Sequence, residues 1–351
     1  MTPPPHANPQ LFGHARAEAT FVRALETGRM PHAWLLRGPA GIGKATLAYR
    51  FARRLLAGAE HEQAAGDPRH AIFRMVANRA HPDLRVLERV VNPKTGKLYR
   101  EILVDQVRAV DESLHETAAR GGYKVLIVDS ADELGPAGAN ALLKLLEEPP
   151  GRTVLLLACR RPGVLPRTIL SRCMQLPVAP LPPAEFDRAL AQLAAEMPTE
   201  QRAALAELAD GSPGRALELD EGGWLARYTA LLPKLVEARS SVLLRLDLAG
   251  ELAKGGEGRA RIAADLLGTV LRRTVARKTG SALGRELFAG EEALLERLAA
   301  GLALDQWVAV WDKLAPLAGQ VERLNLDPAQ ALLQVLQAIC AAAPEPELSL
   351  A

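Results

Sequence analysis

One apolar run that ends in a glycine-rich loop constrains the fold of this chain most. The run HAWLLRG (32–38) leads into GPAGIGK (38–44), and an amphipathic stretch continues from Lys44 to Leu56. A strand, a glycine turn and a helix in this order point several backbone N–H groups at one spot, where the helix dipole adds positive charge. The pattern G-x-x-x-x-G-K-[ST] predicts a phosphate-binding loop that contains Gly38, Gly41, Gly43 and Lys44.

The loop departs from that pattern at one position. Ala45 stands where serine or threonine would supply the hydroxyl that ligates Mg²⁺. Thr46 is one residue further along, about 100° around the helix, so its hydroxyl points elsewhere. Metal-assisted hydrolysis is therefore expected to be impaired. Two interpretations stay open: a loop that binds ATP or ADP without hydrolysis, and a glycine-rich turn before an ordinary amphipathic helix.

The rest of the first half alternates strand and helix patterns. YKVLIVDS (123–130) and TVLLLACR (153–160) are apolar runs of the length of buried parallel strands. Between them, PAGANALLKLLEE (136–148) has helical spacing and begins with a proline suited to a first turn. This rhythm predicts an α/β layer with a parallel sheet. NPKTGK (92–97) predicts a surface hairpin, and after about residue 180 the chain shows only helical patterns.

A second half of an ATP site is indicated at the end of the run VLIVD. Its last residue, Asp129, could bind a metal, but Ser130 follows it and is a poor base. The alternative for Asp129 is a strand-end acid that caps the next turn.

Composition excludes several classes of protein. The 351 residues carry a formal net charge of +2, so no general basic field demands a nucleic acid. No apolar run approaches the roughly 18 residues of a membrane span. The start, MTPPPHANPQ, lacks a signal-peptide core and is expected to be a loose tail of a cytoplasmic protein. The three scattered cysteines, Cys159, Cys173 and Cys340, predict neither a disulfide nor a zinc cluster, and no metal site is expected.

Two stretches carry a resemblance to a known family. NALLKLLEEPP (140–150) and LPRTILSRC (165–173), after a degenerate phosphate loop, closely resemble the bacterial DNA polymerase III clamp loader. LFGH (11–14), HPDL (81–84) and VDQVR (104–108) agree with it. The likeness is strong from residue 11 to about 180 and loose in the helical remainder.

That resemblance implies a domain plan. It consists of an α/β AAA+ P-loop ATPase domain (1–178) with a disordered tail (1–9), a small helical lid domain (179–222) and an all-helical collar domain (223–351). ERLNLDPAQALLQVL (322–336) resembles the last collar helix, and its leucine spacing equally suits any buried helix. Asp327-Pro328 predicts a helix start.

The departures from the family pattern indicate which kind of subunit the chain resembles. Hydrolysing gamma/tau-type subunits carry the loop hydroxyl, a glutamate after the strand-end acid, a polar sensor and a lid arginine. This chain has Ala45 and Ser130 at the first two positions and Cys159 near the third. GSPGRAL (211–217) places Gly214 at the fourth, with Arg215 displaced by one. The chain is therefore more similar to the delta prime type, and an active gamma/tau-type ATPase is the alternative.

The triplet Ser171-Arg172-Cys173 is retained. In the family its arginine reaches into the ATP site of a neighbouring subunit, where an always-charged guanidinium stabilises charge developed in phosphoryl transfer. The alternative is a solvated or salt-bridged surface arginine. Cys173 is expected to be a small buried apolar residue rather than a ligand or nucleophile.

Two basic features receive weaker interpretations. Lys144, on a helix that lines the DNA chamber in the family, could neutralise a DNA phosphate or pair with Glu147 or Glu148. The basic cluster that spans residues 272–278 is expected to be a solvated helix face, and it consists of Arg272, Arg273, Arg277 and Lys278.

The resemblance implies a subunit without its own activity, in a pentamer with gamma/tau and delta subunits. Such a complex loads the beta sliding clamp on primed DNA during replication, as part of the polymerase III holoenzyme. It implies no required cofactor, no zinc, no membrane and a cytoplasmic replisome location.

Overall fold

The computed structural model describes residues 3–116, 122–254, 259–281, 283–317, 320–321 and 326–340. The chain divides into two compact units. The first comprises Met1–Met197 and Ala209–Leu217, and the second comprises Pro198–Leu208 and Glu218–Ala351. The predicted domain limits at residues 178 and 222 stay predictions.

A five-stranded, wholly parallel sheet forms the centre of the first unit. Its spatial order is β2-β3-β4-β1-β5, so the strand before the phosphate loop lies between β4 and β5. The predicted parallel sheet of an α/β layer is confirmed. The strands are β1 (Ala33–Arg37), β2 (Leu84–Leu87), β3 (Lys124–Asp129), β4 (Thr153–Cys159) and β5 (Met174–Pro177).

Helices cover both faces of the sheet because successive side chains of each strand point to opposite sides. Trp34 of β1 packs with Phe21 and Phe51 in the core on one face. Leu35 packs with Leu142 and Ile169 in the core on the other. The helices of this unit are α1 (Ala15–Glu26), α2 (Lys44–Ala57), α3 (His61–Gly66), α4 (Ala71–Ala77), α5 (Val104–Leu114), α6 (Pro136–Glu147), α7 (Arg167–Arg172) and α8 (Pro183–Leu193).

The N-terminal residues correct one expectation, because residues 3–9 do not form a disordered tail. Pro5–Ala7 is a short 3-10 helix. The guanidinium of Arg53, fully buried, donates to the carbonyl of His6 at 3.3 Å and to that of Asn8 at 3.2 Å. Burial lowers the pKa of Arg53 to about 9. A buried guanidinium needs acceptors for its N–H groups, and the backbone of the segment provides them.

The predicted hairpin around residues 92–97 is confirmed. Val91 and Leu98 form an antiparallel bridge, and the Asn92 amide donates to the Lys97 carbonyl at 2.7 Å.

The second unit is helical, as predicted for the C-terminal part of the chain. Helix α16 begins at Pro328, where the sequence predicts a start, and the Asp327 carboxylate accepts from the Ala329 amide at 3.0 Å. Residues 322–325 of the predicted collar helix lie outside the described residues. From residue 199 onward the described helices are α9 (Thr199–Ala209), α10 (Pro213–Glu221), α11 (Trp224–Glu237), α12 (Val242–Ala253), α13 (Arg259–Thr279), α14 (Glu291–Ala299), α15 (Leu304–Leu314) and α16 (Pro328–Cys340). The start of α10, up to Leu217, belongs to the first unit.

The basic cluster on α13 is not a solvated face throughout, which corrects a second expectation. Arg273 is buried and pairs with the fully buried carboxylate of Glu291 at 2.6 Å. The hydroxyl of Tyr228 donates to the same carboxylate at 2.7 Å. Helical spacing identified the cluster, but it could not show that Arg273 faces inward, where a partner from another helix is required. Arg277 is partly exposed at the surface and pairs with Glu296.

Within the described residues, no helix combines the length and apolarity that crossing a bilayer requires. The same part of the chain contains no cluster of three or more His, Cys, Asp or Glu side chains placed to hold a metal ion.

Candidate functional site

The glycine-rich loop has the predicted strand–loop–helix setting. It leaves β1 after Arg37, and α2 begins at Lys44 with Gly43 as its N-cap residue in a left-handed conformation (φ 97°). Gly41 is also left-handed (φ 71°), a region that residues with a Cβ rarely adopt. The amide N–H groups of residues 41–46 donate to no described residue. These free donors at a helix N-terminus fit an anion such as a phosphate.

Carbonyl groups of the loop, by contrast, are engaged in hydrogen bonds. Four consecutive carbonyl oxygens each accept a hydrogen bond, one from the side chain of Lys44 and three from residues outside the loop, and these bonds leave the loop amides unused. The pairs are Pro39 with Lys44 Nζ, Ala40 with Ser212 Oγ (2.8 Å), Gly41 with the Gly214 amide (2.9 Å), and Ile42 with His14 Nε2 (2.7 Å).

Lys44 lies inside the first unit rather than in solvent, with 6% of its surface exposed. Burial is the main cause that lowers its pKa to about 8, and the neighbouring charge of Arg160 adds to the effect. The carboxylates of Asp132 and Asp129 act in the opposite direction. The loop lysine and the acid at the end of β3 are therefore close enough to interact, as a nucleotide site requires.

Asp129 ends β3 and is largely buried. Burial raises its pKa, the charges of Glu88 and Glu133 raise it further, and Lys44 and a hydrogen bond from Ser130 oppose them. Ala45 supplies no oxygen on the loop side, so Asp129 has no hydroxyl partner at that position for holding a metal ion. The residues present fit phosphate better than they fit a metal–phosphate pair.

Sequence reasoning missed two charged residues next to this site. Asp132 has a fully buried side chain that accepts from the Arg160 amide at 2.9 Å. Burial alone would raise the pKa of Asp132, but this bond and the Arg160 charge lower it. Arg160 also pairs with Glu133 at 2.6 Å. The sequence could have indicated this pair, because Asp132 follows β3 and Arg160 follows β4. The carboxyl ends of neighbouring parallel strands meet at one edge of the sheet.

The sensor and lid positions lack a side chain that could reach a phosphate. Cys159 is buried at the end of β4, and burial raises the pKa of its thiol to about 11. Gly214 lies against the backbone of Gly41, and Arg215 follows it near the start of α10.

Arg172 is the last residue of α7 and is partly exposed. One Nη donates to the Thr168 carbonyl at 3.1 Å, and the other pairs with Glu147 at 2.8 Å. The salt-bridged alternative thus describes its state in the isolated chain. In the described structure Arg172 makes no hydrogen bond or ion pair with residues 38–46.

The other members of the triplet support the end of α7. The Ser171 hydroxyl is exposed and donates to the Thr168 carbonyl at 3.1 Å. Cys173 is buried among the residues around Ile169, and burial raises the pKa of its thiol to about 12. A protonated, buried thiol is neither a nucleophile nor a ligand.

Lys144 is exposed on α6, in the described part of the chain, without an ion pair. Glu147, one of its two expected partners, pairs with Arg172 instead. The DNA interpretation of Lys144 stays a prediction.

Comparisons with known proteins match much of the chain, including the strand–loop–helix segment, to DNA polymerase III subunits. A family model described as DNA polymerase III, delta subunit, matches residues 13–182. The chain is 42% identical over 196 residues to DNA polymerase III subunit delta′ of Pseudomonas aeruginosa, which covers 55% of this chain and 56% of that protein. It is 39% identical over 213 residues to the Escherichia coli subunit delta′, covering 60% of each.

A more distant similarity reaches the tau type. The chain is 31% identical over 224 residues to subunit tau of Salmonella typhimurium, which covers 61% of this chain and 33% of that protein. The chain spans little more than half the length of the delta′ relatives it matches. The chain is therefore similar to DNA polymerase III delta′ subunits over this part of its length, with a higher identity than to the tau subunit.

Proposed function

We propose that this chain is the non-hydrolysing delta′ subunit of a bacterial clamp loader and that it donates Arg172 to the ATP site of a neighbouring gamma/tau subunit. With gamma/tau and delta subunits it forms a pentamer in the cytoplasm that loads the beta sliding clamp on primed DNA. Its second unit contributes to the collar. Its own loop holds ATP or ADP without hydrolysing it.

The position of Arg172 is the observation that carries this proposal. Arg172 is the last residue of α7, and Ile169 of the same helix is fully buried in the core. The backbone that carries the guanidinium is therefore held in a defined position. Its side chain is 36% exposed, and its carboxylate partner is 51% exposed. An exposed ion pair of this kind contributes about 0–1 kcal/mol, so a γ-phosphate can take over the guanidinium at small cost.

The chain's own site supports the non-hydrolysing half of the proposal. Ala45 removes the Mg²⁺ ligand and Ser130 removes the base that would orient water. Lys44 and the free amides remain, so the contribution of this loop is limited to holding a phosphate.

The proposal is tested by Arg172→Ala in the reconstituted complex. Assembly should be intact, and hydrolysis at the neighbouring site should fall by about 10³–10⁵, the range for loss of an arginine finger. Total turnover falls by less where other sites remain active. Arg167→Ala, an exposed arginine at the first position of the same helix, is the matched control and should change nothing. Unchanged turnover with Arg172→Ala at saturating DNA and clamp would overturn the proposal.

An active gamma/tau-type ATPase is the alternative, and the similarity to a tau subunit favours it. It requires Mg²⁺-dependent turnover by the purified chain alone that Lys44→Ala abolishes. Absence of such turnover in the isolated chain would leave the first proposal in place.

A further inference from the structure

His14 joins the start of α1 to the phosphate loop through one hydrogen bond. Its Nε2 lies 2.7 Å from the carbonyl oxygen of Ile42. A carbonyl oxygen only accepts, so Nε2 carries a proton and donates it to this bond. Ile42 is 2% exposed, and a buried backbone carbonyl needs a partner from the protein. The imidazole of His14 provides that partner.

The backbone of His14 has a conformation that a residue with a Cβ rarely adopts. His14 is the N-cap residue of α1 and is left-handed, with φ 62° and ψ 16°. L-residues avoid this region because the Cβ crowds the carbonyl that follows. Outliers of this kind persist where the surroundings fix them, and they cluster at ligand sites. The bond to Ile42 explains why histidine, and not the better suited glycine, stands at this position.

The bonded carbonyl belongs to the peptide unit between Ile42 and Gly43. This peptide is trans, so its C=O and its N–H point in opposite directions. His14 lies on the carbonyl side, and the Gly43 N–H on the other side has no acceptor among the described residues. Left-handed glycines on either side of Ile42, at residues 41 and 43, make successive N–H groups converge as an anion requires. The His14 bond therefore fixes the direction of a donor that fits a phosphate.

A neutral donor suits this position because Lys44 lies nearby. Burial is the main cause that lowers the pKa of His14, and the charge of Lys44 lowers it further, while the bond to Ile42 opposes them. The imidazole is therefore neutral at pH 7, where it donates to the loop without adding a second positive charge beside the buried ammonium of Lys44.

We propose that His14 is a positioning residue of the phosphate loop, whose Nε2–H holds the Ile42–Gly43 peptide with the Gly43 N–H toward the anion. Its effect on nucleotide affinity rests on the proposed function, in which the loop holds ATP or ADP. The positioning itself requires no nucleotide, so it is measured separately in the isolated chain.

NMR relaxation of the Gly43 amide in the purified full-length chain without nucleotide tests the positioning. The order parameter should be about 0.85 in the native chain, as for rigid backbone, and should fall toward about 0.6 in His14→Gly. Glycine removes the donor and adopts the left-handed backbone freely. His14→Asn should act in the same way, because its amide nitrogen lies one bond closer to Cβ than Nε2 does. His14→Gln places an amide nitrogen three bonds from Cβ, as in histidine, and should restore the native value.

Calorimetric titration with ATP tests the consequence for binding. His14→Gly and His14→Asn should weaken ATP binding by about tenfold, the effect of one misdirected donor to an anion, and His14→Gln should stay within about threefold of the native chain. His32→Ala is the matched control, since His32 is also a partly buried histidine of the first unit whose Nε2 bonds a backbone carbonyl, that of Leu146, at 3.1 Å. It should change neither the ATP affinity nor the Gly43 order parameter.

Far-UV circular dichroism of each variant checks that the sheet and helices remain. A native Gly43 order parameter or a native ATP affinity in folded His14→Gly and His14→Asn chains would overturn the proposal. So would a His14→Gln chain that behaves like those two variants. A native chain that binds no ATP would instead contradict the proposed function of the loop, and the relaxation measurement would still decide whether His14 fixes the peptide.

Discussion

Arg172 pairs with Glu147 at 2.8 Å, so the residue proposed to act on a neighbouring subunit is held by the last residue of α6 in the isolated chain. The pair joins the ends of two helices, α6 and α7, that share one core. The pair holds the guanidinium in a defined position and leaves it partly exposed.

The first prediction concerns the weakness of that pair. Arg172→Ala and Glu147→Gln should each lower the free energy of unfolding of the isolated chain by no more than about 1 kcal/mol, because both side chains are more than one-third exposed and screened by solvent. Urea denaturation measures it. A loss of several kcal/mol for either variant would mean that the pair is structural and that Arg172 is not free to leave.

A second prediction follows from the pKa of Lys44. Burial lowers it to about 8, so the ammonium is charged at pH 7 and largely neutral at pH 9. Affinity of the loop for ATP or ADP should therefore fall as the pH rises from 7 to 9, approaching tenfold per pH unit above 8. Calorimetric titration measures the affinity. Lys44→Arg keeps its charge through this range and should flatten the profile; an equally steep fall in that variant would assign the titration to another group.

The lowered pKa of Lys44 also makes the free energy of unfolding depend on pH, with a sign that can be stated. Between about pH 8 and pH 10.5 the unfolded chain binds a proton at Lys44 that the folded chain does not. The contribution of Lys44 to the free energy of unfolding therefore rises with pH in this window. Comparison of native and Lys44→Met chains in urea at pH 7.5 and pH 10 isolates that contribution.

A third prediction concerns metal dependence. Because Ala45 provides no Mg²⁺ ligand, the native chain should bind ATP with nearly the same affinity with and without Mg²⁺. Ala45→Ser restores the hydroxyl and should make binding tighter when Mg²⁺ is present. Equal affinities for that variant in Mg²⁺ and in a chelator would show that Asp129 cannot complete a metal site.

A fourth prediction tests the buried pair of the second unit. Glu291→Ala leaves the Arg273 guanidinium uncompensated beside Tyr228 and should lower the free energy of unfolding by about 3–5 kcal/mol. Arg277→Ala, which breaks a pair with Glu296 at the surface of the same helix, should leave the urea midpoint nearly unchanged. Similar effects of the two changes would contradict the special role of the buried pair.

The sequence alone determined the local features. Apolar runs predicted β1, β3 and β4, because a strand buried on both faces requires apolar residues throughout, and proline predicted the start of α6. The loop pattern located the phosphate-binding loop. Ala45 and Ser130 indicated that the site lacks the hydroxyl that ligates Mg²⁺ and the base that orients water. Each of these depends on residues close together in the chain, where periodicity and turn chemistry act.

Only the tertiary structure decided which distant groups meet. It placed Arg172 beside Glu147, Asp132 beside Arg160 and the Ser212 hydroxyl on the Ala40 carbonyl of the phosphate loop. It also ordered residues 3–9 around Arg53 and turned Arg273 inward. These outcomes depend on burial, because a charged or polar group removed from water requires a partner, and that partner comes from whichever element the fold brings alongside.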